Sequence, residues 1–172
     1  MTGCAENKET ASNSAPTRSF QDYLVMGNNY ADQQMYDQAE QAYKSAIMVN
    51  PADTRAHVNL AQLYIDSGRL QDAETILKVA VQVDPQETHA HNLLGNVYYA
   101  RKSYNTARYH YQKALKANPD LYEAHWNMVG TCLMLKKDQE AFEHCRRYIE
   151  LAPETEAHNI RRAKAYLSGQ RP

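Results

Sequence analysis

Seven histidines and three cysteines are the residues of this chain best equipped to hold a metal ion or act as nucleophiles. The closest histidine pair is His89-x-His91. Residues two apart on a helix point about 200° around its axis, so these two cannot chelate one ion from a single helix. His57, His91 and His125 recur every 34 residues, which assigns them to a repeated packing position rather than to coordination. Cys132 and Cys145 fall where small apolar side chains pack, and they read as buried free thiols. In an exported protein a disulfide between them becomes an option, decided by a geometry that spacing does not reveal. HExxH, GxSxG and glycine-rich phosphate loops do not occur in the sequence. Scattered Asp and Glu on the outer faces of alternate helices read as solvated. The expectation is a protein with no catalytic residue, no metal and no cofactor.

The elements that carry these residues are set by four prolines, Pro51, Pro85, Pro119 and Pro153, each 34 residues after the last. They close similar phrases: MVNP, QVDP, KANP and ELAP. Ala39, Ala73, Ala107 and Ala141 precede them by twelve positions, and Ala46, Ala80 and Ala114 by five, with Tyr148 in the last unit. A mark returning four times at one period means that one supersecondary unit has been copied and stacked. In the first unit Tyr23, Met26, Gly27 and Tyr30 make one helical stripe, and Tyr36, Ala39, Ala42, Tyr43, Ala46 and Ile47 a second. The proline lacks an amide hydrogen and biases Asn50 away from helix, so the second helix ends there. Two helices of about 14 residues with short turns fill each period. The small residue of the first helix (Gly27, Ala61, Gly95) is expected to face the first alanine of the second, letting the backbones approach closely. The fourth unit has Val129 there, which predicts a looser helix pair.

Lys plus Arg number 19 against 20 Asp plus Glu, so no net field draws in nucleic acid or a membrane surface. No run of eighteen apolar residues exists to cross a bilayer as a helix.

The order aromatic or His, Leu, Gly/Ala, Tyr, Ala, Tyr/Leu, Ala, Pro over 34 residues resembles the tetratricopeptide repeat. The resemblance implies an all-α, right-handed superhelical solenoid of four helix-turn-helix units: 20–53, 54–87, 88–121 and 122–155. Residues 156–170 read as one more amphipathic helix with a basic outer side and a glycine stop. That is the capping helix such a stack needs at its exposed end.

By the same resemblance, the chain is a non-catalytic adaptor that binds a protein or extended peptide along the concave surface lined by first helices. Residues rotated to that side include Leu24 and Asn28, then Asn59 and Gln62, then Asn92, Asn96 and Tyr99, then Trp126 and Asn127. Asparagine is a poor helix-interior residue because its amide competes for backbone partners, so its recurrence is informative. An amide offers a donor and an acceptor, which suits an extended peptide backbone, and Trp126 and Tyr99 supply anchors. The competing reading is that these asparagines are solvated helix residues. Chaperone-tail-binding members of the family clamp a C-terminal carboxylate with two Lys, one Arg and two Asn. Asn28 and Asn59 match the asparagines, but Leu24, His89 and Leu93 stand where the cations belong. A neutral or mixed peptide is expected instead, since a carboxylate loses its charge-assisted bonds.

Residues 1–19 are small and polar and read as a flexible tether. Thr2-Gly3-Cys4 resembles the end of a bacterial lipobox, which implies lipidation of Cys4 and a membrane association through that anchor alone. The expectation is a lipid-anchored protein of the bacterial periplasm that aids assembly of a pilus or secretion complex. A soluble cytosolic adaptor or co-chaperone is the alternative, with a self-associating scaffold as a third. Arg146-Arg147 and Arg161-Arg162 with Lys164 read as an acidic-partner patch or, more simply, as solvated ends.

Overall fold

The computed structural model describes residues 18–169. Helices α1 (Phe20–Asp32) and α2 (Tyr36–Val49) make the first hairpin, and α3 (Thr54–Asp66) and α4 (Leu70–Val83) the second. Then come α5 (Thr88–Ala100) with α6 (Tyr104–Ala117), and α7 (Tyr122–Met134) with α8 (Asp138–Leu151). A 3-10 turn at Glu154–Glu156 leads into α9 (Ala157–Leu167), and no strand occurs among the described residues. Ser19 belongs to this architecture rather than to a tether. Its hydroxyl accepts from the Asp22 amide while Asp22 accepts from the Ser19 amide, a reciprocal cap that starts α1. Cys4 and the other residues of the expected tether up to 17 lie outside the described residues.

The turns repeat as faithfully as the helices. Each first helix ends with paired backbone bonds, such as Met35 N–H to the Tyr30 carbonyl and Gln34 N–H to that of Ala31. Arg69 and Gly68, Ser103 and Lys102, and Lys137 and Lys136 make the same pairs in the later units. This geometry needs one residue in the left-handed region. Gly68 fills it at φ 74°, but Gln34 (60°), Lys102 (61°) and Lys136 (58°) do so with a side chain attached. Second helices stop before the prolines, where Asn50, Asp84 and Asn118 each accept a backbone N–H two residues on.

First helices touch one another along the stack (α1 with α3, α3 with α5, α5 with α7), whereas no two second helices touch each other. The row of first helices is therefore the tighter one and lines the concave side. The repeated alanines at 39, 73, 107 and 141 are fully buried.

Close approach within a hairpin works differently from the expected glycine-to-alanine contact. A side chain added at Gly27 would overlap the ring of Tyr43, and one at Gly95 the ring of Tyr111. The glycine makes room for a tyrosine. One period on from Gly27 and Tyr43 stand Ala61 and Leu77, and in the fourth unit Val129 and Cys145. As the first residue grows from Gly through Ala to Val, the second shrinks from Tyr through Leu to Cys, so filled volume is conserved. Val129 shares a buried cluster with Cys145 and Tyr148, so its size is compensated rather than a sign of loosening.

The outer carboxylates also depart from expectation. Glu74 is only 7% exposed. It accepts from the Tyr98 hydroxyl at 2.8 Å and pairs with Lys78 and with Arg101 of the next unit. Hydrogen bonding from Lys78, with Tyr98 and Arg101 behind it, outweighs burial and holds its carboxyl down to about 2. Glu40 repeats the arrangement with Lys44, Tyr64 and Arg69 at 2.7, 3.0 and 2.7 Å. In the third unit the polarity reverses, and Arg108 reaches forward to Glu140 at 2.8 Å. These groups clasp neighbouring units together. Arg147, too, bridges to Asp120 at 2.9 Å. At the end of the stack α9 buries Ala163 against Val129, Cys145 and Tyr148, and Tyr166 stacks on Phe142.

Candidate peptide groove

Three adjoining cavities lie along the inner face. The first, about 370 Å³, is bordered by Asn28, Asp32, Asn59, Gln62 and Asp66. The second, about 490 Å³, shares Asn59 and Gln62 with it and extends through Asn92 and Asn96 to Trp126 and Asn127. The third, about 400 Å³, shares Asn96, Trp126 and Asn127 and continues past Tyr99 and Leu133 to Arg162 on α9. The shared walls make one trough from α1 to α9. All eight residues singled out for peptide binding border it. Leu24 does not: it is 5% exposed and belongs to the core.

The asparagines are neither randomly solvated nor wholly free. Asn28 Oδ1 accepts from the Tyr43 hydroxyl at 2.9 Å and from Asn59 Nδ2 at 2.9 Å. Two units later Asn96 Oδ1 accepts from Tyr111 and from Asn127 Nδ2, at 2.9 and 3.0 Å. Asn127 Nδ2 also donates to Asn92 Oδ1 at 3.1 Å. The same tyrosines that require Gly27 and Gly95 thus also orient Asn28 and Asn96. With their oxygens engaged, Asn28, Asn92 and Asn96 keep amide donors for a ligand, and Asn59 and Asn127 keep acceptors. Asn92, 8% exposed, forms part of the floor. Gln62 donates to Asp66 at 2.7 Å.

The far end of the trough is aromatic. The Trp126 ring lies 4.9 Å from that of Tyr148, and the Arg162 guanidinium sits 5.4 Å over Trp126. Arg162 therefore faces inward, not along a basic outer side. Sequence reasoning missed Tyr122, Glu123, Tyr148, Glu156 and Arg162 as lining residues. Tyr148 carried a signal, because a tyrosine in the last alanine slot must send its ring somewhere. Its hydroxyl reaches Glu156 at 3.0 Å. No Lys or Arg borders the first two cavities, and Leu93, at one expected clamp position, is buried.

The histidines and cysteines are arranged for packing. His91 Nε2 donates to the Pro85 carbonyl at 3.1 Å, so in the neutral ring its Nδ1 is an acceptor, and His110 Nδ1 lies 3.2 Å away to fill it. His125, Pro119 and His144 repeat this at 2.9 and 2.8 Å. Burial, then the facing histidine, pushes His110 and His144 down to about 4. His57 has no such partner, since Ile76 stands where His110 and His144 do. No group of three or more potential metal ligands occurs among the described residues. Cys132 and Cys145 are buried free thiols, each pushed up to about 11 by burial.

Among solved structures, the chain is similar to the MamA protein, with 22% identity and a TM-score of 0.68 over 88% of this chain and 84% of that one. It is similar to TTC0263, a thermophilic TPR protein in Thermus thermophilus, with 20% identity and a TM-score of 0.74 over 87% and 82%. A third is the first TPR of Spaghetti (RPAP3) bound to the HSP90 peptide SRMEEVD, with 24% identity and a TM-score of 0.63 over 71% and 99%. At these identities the likeness is one of fold. No curated protein matches the sequence. A tetratricopeptide repeat family model matches residues 30–97 and a TPR repeat model residues 95–128, together more than half of the chain. With its all-helical stack of 34-residue hairpins, this chain belongs to the tetratricopeptide repeat family.

Proposed function

We propose that this chain is a non-catalytic adaptor whose concave trough receives an extended segment of a partner protein. The carrying observation is the pre-oriented amide ladder: Asn28–Asn59 at one end and Asn92–Asn96–Asn127 further along. Their unused donors and acceptors match a peptide backbone, and holding them in place beforehand removes part of the ordering cost of binding. Trp126, with Tyr148 behind it, is the anchor. The family likeness to a TPR bound to a peptide is consistent with this use of the fold. Capture of a partner from the native host tests it. Asn59→Ala, Asn92→Ala and Trp126→Ala should each weaken capture while leaving the helical circular dichroism unchanged. Undiminished capture by all three would refute the groove.

The further proposal is that Cys4, in Thr2-Gly3-Cys4, is lipidated, placing the adaptor in the bacterial periplasm as an assembly factor for a pilus or secretion complex. Mass spectrometry of the native N-terminus decides it. A diacylglyceryl cysteine is expected, and an unmodified Met or Thr start would overturn it in favour of a cytosolic adaptor.

A further inference from the structure

The two ends of the stack are finished differently. At the C-terminal end α9 packs over Val129, Cys145 and Tyr148. At the N-terminal end no second helix precedes α1 among the described residues. In the later units that place is taken by α2 on α3, α4 on α5 and α6 on α7. His57, Leu60 and Tyr64 are buried there, and so are His125, Met128 and Cys132. Their counterparts in the first unit, Tyr23, Met26 and Tyr30, are left half-buried.

A cavity of about 360 Å³ opens beside these three side chains and shares no lining residue with the trough. Its floor is the buried Ala42. In the later units Ile76, His110 and His144 hold that position. In the third unit the His110 ring lies 5.5 Å from His91 and 5.3 Å from Tyr98, the counterparts of Tyr23 and Tyr30. Ala42 is too short to fill the corresponding space. Tyr30 also lacks a bond its counterparts make. Tyr64 and Tyr98 donate to Glu40 and Glu74 of the preceding helix at 3.0 and 2.8 Å, and no such acceptor meets Tyr30 among the described residues. A solenoid end of this kind needs a cover.

The chemistry of the face fits a second copy of itself. Tyr30 brings a hydroxyl donor, and Gln38 and Gln41 on the same border bring carbonyl acceptors. Asp37 is the one charged residue on that border, so two copies meet without a field of like charge. Residues 1–17 contain no aromatic residue and no Leu, Ile or Val, so they offer no apolar stripe to lay over it. With α9 across the other end, head-to-tail growth has no matching surface.

We propose that two copies of this chain pair through their N-terminal ends, α1 and α2 of one against α1 and α2 of the other. A two-fold contact sets the same patch on both sides and closes on itself. A side chain from each copy enters the space over the other's Ala42. Both troughs stay open, so a partner with two suitable segments is held twice.

A small interface associates weakly, so sedimentation velocity of the full chain should span about 1–500 μM. The mass should rise from one chain to two and stop there. Met26→Glu sets like charges across the contact and should raise the dissociation constant at least about tenfold. Ala42→Ile copies Ile76 and fills the cavity from within. It should weaken pairing similarly while circular dichroism shows the helices intact. A protein that stays single across the range, grows past two, or pairs as tightly in both variants would overturn the proposal. None of these results bears on the trough, which is tested by capture.

Discussion

Replacing Gly95 by alanine tests the packing rule that shapes the inner face. A Cβ at Gly95 overlaps the ring of Tyr111, which is 1% exposed and has nowhere to move. Overpacking of this kind costs about 1–3 kcal/mol, and a clash with a fixed ring belongs at the upper end. Alanine recovers about 1 kcal/mol through its better helix propensity. Gly95→Ala should therefore destabilise the protein by about 2 kcal/mol. Tyr111→Leu alone leaves a void and orphans the Asn96 contact, costing about 2–4 kcal/mol. The double variant rebuilds the Ala61–Leu77 pair of the second unit. In the Tyr111→Leu background the added methyl fills space instead of colliding, so Gly95→Ala should now stabilise by about 1 kcal/mol. Urea unfolding followed by far-UV circular dichroism measures all four proteins. A Gly95→Ala effect of the same sign and size in both backgrounds would refute the reasoning.

Other consequences concern turns and pH. Gln34→Gly, Lys102→Gly and Lys136→Gly place glycine where φ is near +60°. Each should raise stability by up to about 1 kcal/mol in the same unfolding assay. The histidine pairs make stability fall on acidification. His110 and His144 are held at about 4 against a usual 6.5, so the unfolded chain binds their protons first. Their contribution is complete above pH 6.5, is lost between 6.5 and 4, and is flat below. Partial exposure limits the loss to about 1–2 kcal/mol per pair. His110→Ile with His144→Ile copies the arrangement at Ile76 and should flatten this pH window in thermal unfolding. An unchanged slope would show that other groups carry it.

Much of this architecture is legible in the residues alone. The prolines, the alanine slots and the helical stripes mark every hairpin, because periodicity reports which face of a helix is buried. Periodicity does not report which residue meets which across a hairpin. That is why the stripes pair Gly27 and Gly95 with alanines rather than with Tyr43 and Tyr111. The inverse change of size from Gly–Tyr to Ala–Leu to Val–Cys is nonetheless present in the sequence, 16 positions apart within each unit. The groove asparagines stand out by their shared rotation, but their bonds to tyrosine hydroxyls depend on that same missing pairing. Glu40 and Glu74 read as solvated because a charge pattern cannot show a tyrosine and an arginine arriving from the next unit. Arg162 escapes notice because α9 folds back over the end of the trough, a tertiary arrangement without local signature, whereas Tyr148 is marked by its place in an alanine slot.

The most direct test of the trough as the working surface is the response of side-chain amide NMR signals to the partner captured from the native host. The amides of Asn59, Asn92, Asn96 and Asn127 should shift on binding, while those of Gln41 and Gln71 on the second helices stay in place. Shifts at Gln41 and Gln71 with the asparagines unmoved would contradict the account.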